Sequence, residues 1–386
     1  MSEVRGLTGL RPAPQAIDKI TCPPYDVIKG GSPLEQTLRQ EGRSLYHITL
    51  GDRPVETLSM LLDNGSLQRE ETPCFYVYEQ TFSGHVRTGV LAAVPVSPYA
   101  EGKIIRHEKT FDDKVKGRLE LRARTGYTFE PVFLLSKASL AEVLDAVKNS
   151  LVPVYAFTSD FAGHSELDGI YNRIFRVPED SPAGQRLREL LKTSPFYIAD
   201  GHHRYHASLL NGQTHFLAYI CQADSVRIQA YNRVINGRIK FEEVQAALDL
   251  TKTDTFATPP KHSFALYTRT GSYLLAAKNI PADAVGRLDC SILEKELYPH
   301  LGLSHDLIMD TRYFDYYPEA EIQTMKEQVD AGAYDLVCAL HPVSMEELFA
   351  VAEAGIADPG IVMPEKSTFF APKILSGIII YKHNKR

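Results

Sequence analysis

Residues 197–210 read YIADGHHRYHASLL. Phe196 to Ala199 is short, apolar and suited to a strand, whereas His202 to Leu210 holds good helix positions and is closed by Asn211-Gly212, so Asp200-Gly201 is the junction. Amides at such a helix start lack intrahelical partners and carry the positive end of the dipole, which makes the place a seat for an anion. Gly201 lets a ligand approach the backbone, and Arg204 in the first turn offers a planar fork of donors matched to a phosphate. A positive helix end opposes imidazolium, so His202 and His203 read as neutral rings donating to phosphate oxygens. Asp200, at a strand's carboxyl end, is placed to hold a magnesium ion or to receive a proton from a substrate hydroxyl. Two plainer readings compete. Asp200 serves equally as an N-cap, and His202 with His206 has the i,i+4 spacing of a metal-binding helix face, though without the glutamate of HExxH or an evident third ligand.

Working outward, helix and strand signals alternate. Ser32-Pro33-Leu34-Glu35 opens a helix as cap, first helical proline and box-closing glutamate, and Gly42 stops it. Apolar spacing from Val55 to Leu62 predicts a second helix. Cys74–Phe82 and Val86–Val96 flank Ser83-Gly84-His85 as a hairpin. Strands are expected at 132–135, 152–158 and 170–177, with helices capped by Ser139 and opened by Ser181-Pro182. Beyond the quoted stretch, 216–222 and 226–235 read as paired strands, and the Asn236-Gly237 turn marks a soft boundary. A hairpin around Thr270-Gly271, a helix near 292–298, a strand at 335–340, a helix boxed by Ser344 and Glu347 and stopped at Gly355, and a last strand at 374–381 complete the pattern.

The chain has 386 residues, 44% hydrophobic and 23% charged, which is ordinary for a globular protein and long for one domain. Two domains are expected, 1–236 and a smaller 237–386. A net charge of −6 argues against a surface that coats nucleic acid, since phosphate neutralisation needs clustered excess Lys and Arg. The five cysteines (Cys22, Cys74, Cys221, Cys290, Cys338) form no CxxC pair and read as reduced thiols. No run reaches the ~20 apolar residues of a membrane span, and the first residues lack a signal-like apolar core, so the expectation is a cytoplasmic protein without membrane partners. Homo-oligomerisation is left open.

Three further polar clusters stand out. Arg106-His107-Glu108-Lys109-Thr110 follows Ile104-Ile105, a strand-like pair, and precedes Lys114, Lys116, Arg118, Arg122 and Arg124; on a helix Arg118 and Arg122 share a face. Arg106 and His107 with Glu108 suit a phosphate clamp beside a carboxylate base, while the plainer reading is a solvated charged helix. Pro23-Pro24-Tyr25-Asp26 is stiff and presents Asp26 either at a site or on an ordinary turn. Lys366-Ser367-Thr368, between Pro364 and Pro372, reads as a loop whose ammonium and hydroxyls suit a phosphate or carboxylate, with Lys373 adding charge and an interdomain cleft as its place.

Together the motifs ADGHHRY (199–205), PPYDVI (23–28), IRHEKT (105–110) and KSTFFAPK (366–373) resemble an uncharacterised bacterial and archaeal family related to the free-serine kinases of the ParB/sulfiredoxin-like superfamily. The resemblance spans residues 23–373. It implies a mixed α/β (α+β) fold with a ParB/sulfiredoxin-like nucleotide-binding core carrying insertions, plus a smaller C-terminal α+β domain. It also implies a kinase using ATP or ADP and Mg2+ on a small hydroxylated metabolite, with L-serine favoured. In that reading Gly201, His202, His203, Arg204, Arg106, His107, Lys366, Ser367 and Thr368 hold the nucleotide, Asp26, Glu108 and Asp200 supply the base, and Asp200 the metal ligand. Walker A and protein-kinase motif sets are absent from the sequence. The alternative is a nucleotide-binding regulatory or ParB-like protein without kinase activity, which would want a basic DNA-reading helix pair that the sequence lacks. A sulfiredoxin-like reductase would want a cysteine where His202 stands.

Overall fold

Ser83 and Gly84 both have positive φ, 47° and 77°, the backbone that a two-residue turn needs to match the twist of its strands. Around it the strands Leu67–Phe82 and His85–Pro95 pair from Tyr76↔Leu91 to Phe82↔His85. This hairpin is the middle of the larger of two sheets in the computed structural model, which describes residues 3–161, 167–192, 195–237 and 241–382. The protein is a mixed α/β fold. It divides into two units, one of residues 1–226 with 372–386 and one of residues 227–371.

In the first unit the strand order runs Ile104–Ile105, Phe196–Asp200, Val132–Ser136, His215–Gln222, His85–Pro95, Leu67–Phe82, Leu7–Pro12, Ile380–Lys382 and Tyr127–Thr128, with Tyr171–Pro178 joined to Leu67–Phe82 and Tyr155–Thr158 beyond it. Period-two residues of these strands (Val90, Ala92, Val94; Phe216, Ala218, Ile220) turn to one face and pack with Val143, Leu144 and Val147 of the helix Ala141–Ser150, Leu187 and Leu191 of Pro182–Leu191, and Tyr205 of His202–Leu210. Burial of each large aliphatic side chain there is worth about 1.5–3 kcal/mol, so the sheet fixes these helices. The last strand inserts between Leu7–Pro12 and Tyr127–Thr128, and Gly9, at φ 149°, lies so close to it that a Cβ would stand 2.1 Å from the Ile380 carbonyl oxygen. Among the described residues no helix is long and apolar enough to cross a membrane.

The second unit is a six-stranded sheet ordered Leu250–Thr253, Gly271–Ala276, Ser263–Thr268, Leu336–Leu340, Tyr231–Ile235 and Phe314–Pro318. Tyr231–Ile235 therefore does not pair with His215–Gln222 as its sequence suggests. Its partners are Leu336–Leu340 and Phe314–Pro318, and the change of unit precedes the Asn236-Gly237 turn.

Local signals were obeyed where nothing distant competed. Ser181 Oγ accepts from the Gly184 amide, and Ser344 with Glu347 forms a complete capping box. Ser32 caps through the Glu35 amide, but the Glu35 carboxylate takes the Gly31 N–H (2.6 Å) and the Tyr46 hydroxyl (2.6 Å), because the Ser32 amide is already given to Lys29 O. Ser139 caps nothing; the Leu140 amide donates instead to Gln222 Oε1 at 2.8 Å. Gly355 does not stop its helix, which runs Met345–Ala357. The final apolar run forms strand only at Ile380–Lys382, although Ile374, Leu375, Ile378 and Ile379 are all buried.

Candidate functional site

The strand Phe196–Asp200 ends at Asp200, Gly201 turns the chain at φ 94°, and the helix His202–Leu210 begins. A Cβ on Gly201 would meet Arg204 Nε at 2.9 Å and Cζ at 3.0 Å, so glycine is required both by the backbone and by the guanidinium curled against it. Gly201 occupies the cap position and no side chain caps the helix. Asp200 is thus not an N-cap. Its Oδ2 lies 3.4 Å from Arg204 Nη2 and 3.4 Å from Lys373 Nζ. Although burial opposes ionisation, the Lys373 and Arg204 cations, followed by His202, hold the Asp200 carboxyl well below its ordinary range.

Arg204 points inward. It is buried, donates to the Pro131 carbonyl, and stands 4.0 Å from Asp26 Oδ2. The expected fork toward a phosphate is therefore turned back beneath the junction, where it ties Asp200 to Asp26. Asp26 itself is 42% exposed. Its loop is anchored by the Tyr25 amide to Glu130 Oε1 (3.0 Å), by Arg118 stacked 3.8 Å from the Tyr25 ring centre, and by Arg118 Nη1 3.4 Å from Glu130 Oε2.

Parallel pairing of Ile104↔Phe196 and Ile105↔Tyr197 carries residues 106–108 beside the same junction. The His107 amide donates to His202 Nε2 at 3.5 Å, and the two rings meet edge-on with centres 4.6 Å apart. His202 Nδ1 stands 3.2 Å from Glu108 Oε2, so the ring proton sits on Nδ1 and is given to the carboxylate. Burial raises a carboxyl, but the adjoining His202 outweighs it and the Glu108 group is held down to about 2. Burial, with His202 beside it, pushes the His107 imidazole down to about 3. His203 is half-buried, stacks on the exposed ring of Phe111 (5.8 Å between centres), and is lowered to about 4 by burial and then by the Lys114 ammonium and His202. Both therefore remain neutral near pH 7.

Other predicted residues are occupied elsewhere. The Arg106 guanidinium lies 4.6 Å over the Tyr99 ring, which also stacks with His206 and meets Tyr205 edge-on. His206 is thus drawn away from any partnership with His202. Arg118 and Arg122 lie on the helix Asp112–Thr125, and Arg122 is a brace: fully buried, it donates to Ser208 Oγ (2.9 Å), Gln213 Oε1 (3.1 Å) and the Arg204 carbonyl (2.9 Å), fastening the site helix from behind. Burial, then the neighbouring Arg118, lowers it to about 10, still charged. Lys366, Ser367 and Thr368 belong to the second unit, where Lys366 has φ 56° and its amine lies over the Tyr231 ring, and Ser367 Oγ donates to Pro364 O at 2.6 Å. Lys373, from the same motif, belongs to the first unit. Gln80 Nε2 donates to its carbonyl at 3.0 Å and Arg87 donates to the carbonyl of Pro372, which fixes where its ammonium emerges.

The geometry thus assembles Asp26, Arg204, Asp200, Lys373, Glu108, His107 and His202 at one helix start. Sequence reasoning gave Lys373 only a supporting part and missed Phe111, Glu130 and Ser208; an aromatic following the charged IRHEKT run is the one signal that pointed to Phe111.

Solved structures similar to this chain include a conserved hypothetical protein from Pyrococcus furiosus, at 15% identity and a TM-score of 0.37 over 74% of this chain and 92% of that one. A free serine kinase in complex with AMP matches at 14% identity and 0.37, covering 75% and 92%. SbnI with a C-terminal truncation, from Staphylococcus aureus, matches at 12% and 0.41, covering 76% and 87%. No curated protein sequence matches the chain. A family model does match residues 4–291, and the chain belongs to that family, described as a protein of unknown function, DUF1015.

Proposed function

We propose that the protein is a nucleotide-dependent kinase for a small hydroxylated metabolite, with ATP or ADP as donor. The observation that carries this reading is Asp200 held between Lys373 and Arg204 at the start of the helix His202–Leu210, with Asp26 and Glu108 beside it. Phosphoryl transfer asks chiefly for positioning and for cancellation of negative charge, and little of a base. Carboxyls held as low as Asp200 and Glu108 are weak bases, which suits groups that orient a hydroxyl rather than strip it. The first-turn amides and the Lys373 ammonium are the groups for phosphate oxygens, the neutral His203 ring a further donor, and Arg204 the support that keeps Asp200 in place.

Asp200 and Asp26 offer hard carboxylate oxygens of the kind that hold Mg2+ together with substrate phosphates. A bound Mg2+ would supply charge neutralisation at the transferring group. L-serine is favoured as acceptor by the family resemblance, and the part of Lys366, Ser367 and Thr368 in nucleotide binding rests on that resemblance and on the suitability of an ammonium and two hydroxyls for phosphate.

The test is incubation of the purified protein with ATP or ADP, Mg2+ and L-serine, with O-phosphoserine detected by mass. Product is expected with one donor. Nucleotide binding without product from serine removes the acceptor; no binding of either nucleotide removes the kinase.

A further inference from the structure

We propose that His107, Glu108 and His202 form a binding site for a divalent transition-metal ion of the Zn2+ class, separate in chemistry from the Mg2+ that a nucleotide brings. The three side chains offer ligand atoms that all lie within 4.8 Å of one another. Ligand bonds of about 2.0–2.2 Å in a tetrahedral site set ligand separations near ~3.3 Å. The Glu108 Oε2 to His202 Nδ1 distance is already 3.2 Å, and Glu108 Oε1 stands 3.9 Å from His107 Nε2. Ligand atoms within 4.8 Å of one another leave at most about 1.5 Å for any edge to close, and Glu108, which is 29% exposed, gives an ion its way in.

The donor set decides the metal. Two imidazoles and one carboxylate suit zinc and its neighbours and are poor for magnesium, which demands oxygen. Rigid support is present as well. Both imidazole ligands are buried, and their rings pack edge-on with centres 4.6 Å apart, so neither is free to swing away from an ion. Ligation through His202 Nδ1 moves the ring proton to Nε2 and gives up the 3.5 Å contact from the His107 amide, the longest bond in the cluster. Three protein ligands leave a fourth position open, as in sites where the metal meets substrate or water.

The proposal does not depend on nucleotide chemistry, and its test uses none. The full chain, stripped with chelator, is titrated with Co2+, read by visible d–d absorption, and then with Zn2+ by calorimetry. Expected are one tightly held ion per chain, displacement of cobalt by zinc, and indifference to Mg2+. Glu108→Gln and, separately, His202→Asn should weaken binding by more than the roughly 10–100-fold that loss of an outer-shell partner costs. His85→Ala, at the exposed hairpin tip, should bind as the unaltered chain does. Circular dichroism identifies any variant that fails to fold, and the other variant then decides. Absence of a bound ion, or affinity unchanged in a folded Glu108→Gln or His202→Asn protein, overturns the site.

Discussion

Lys373 Nζ stands 3.4 Å from Asp200 Oδ2, joining residues 173 positions apart in the chain. Replacing Lys373 by Met leaves Asp200 with Arg204 as its nearest cation and removes a charge from the place proposed above for a phosphate. Phosphoryl transfer should fall roughly 10²-fold, measured by steady-state kinetics. Folding stability should fall by about 1 kcal/mol or less, since the pair is partly open to solvent.

Gly201→Ala tests whether the turn is as constrained as φ 94° and the 2.9 Å approach to Arg204 Nε imply. A left-handed alanine that also displaces the guanidinium should cost about 1–3 kcal/mol in urea unfolding. Nucleotide binding should be lost with it, because the first-turn amides and Arg204 move together.

Arg122→Met separates bracing from chemistry. The substitution takes the buried guanidinium donor from Ser208 Oγ and Gln213 Oε1, while the Arg204 carbonyl keeps the Ser208 hydroxyl, at a cost of roughly 1–3 kcal/mol. The denaturation midpoint should drop well before activity per folded molecule does.

Acidification should destabilise the protein before any carboxylate titrates. In the unfolded chain His107 and His203 take up protons near about pH 6.5, whereas in the folded protein they wait until about 3 and about 4. Between those limits the unfolded state binds more protons, so stability rises with pH and is lost as pH falls below about 6.5. Glu108, depressed to about 2, adds loss in the same direction once pH drops below about 4.3. Urea midpoints at pH 7 and pH 5 measure the slope, and His203→Gln should flatten it.

What was legible in the sequence was what is settled locally. The strand, turn and helix around Gly201, the Ser181 and Ser344 caps and the Ser83-Gly84 hairpin all depend on residues within a few positions. Ser139 failed as a cap because an acceptor for Leu140 arrives from 82 residues away, at Gln222. The apolar run 374–381 was misread as one strand because burial, which its residues do achieve, needs no ladder partner. The candidate site shows the same division. Its motifs were visible as separate clusters, but the inward turn of Arg204 follows from the Pro131 carbonyl and Asp26, and the meeting of His107 and Glu108 with His202 follows from the register Ile105↔Tyr197. Neither is written in the residues nearby.

Because residues 372–382 supply both the partner strand of Gly9 and Leu10 and the ammonium beside Asp200, while 227–371 build a unit of their own, the first unit cannot finish until translation has passed through the second. A ribosome-bound chain that ends inside 227–371 carries Asp200 short of one cation and Leu7–Pro12 with an open rim. Such a nascent species is prone to join strand to strand with its neighbours.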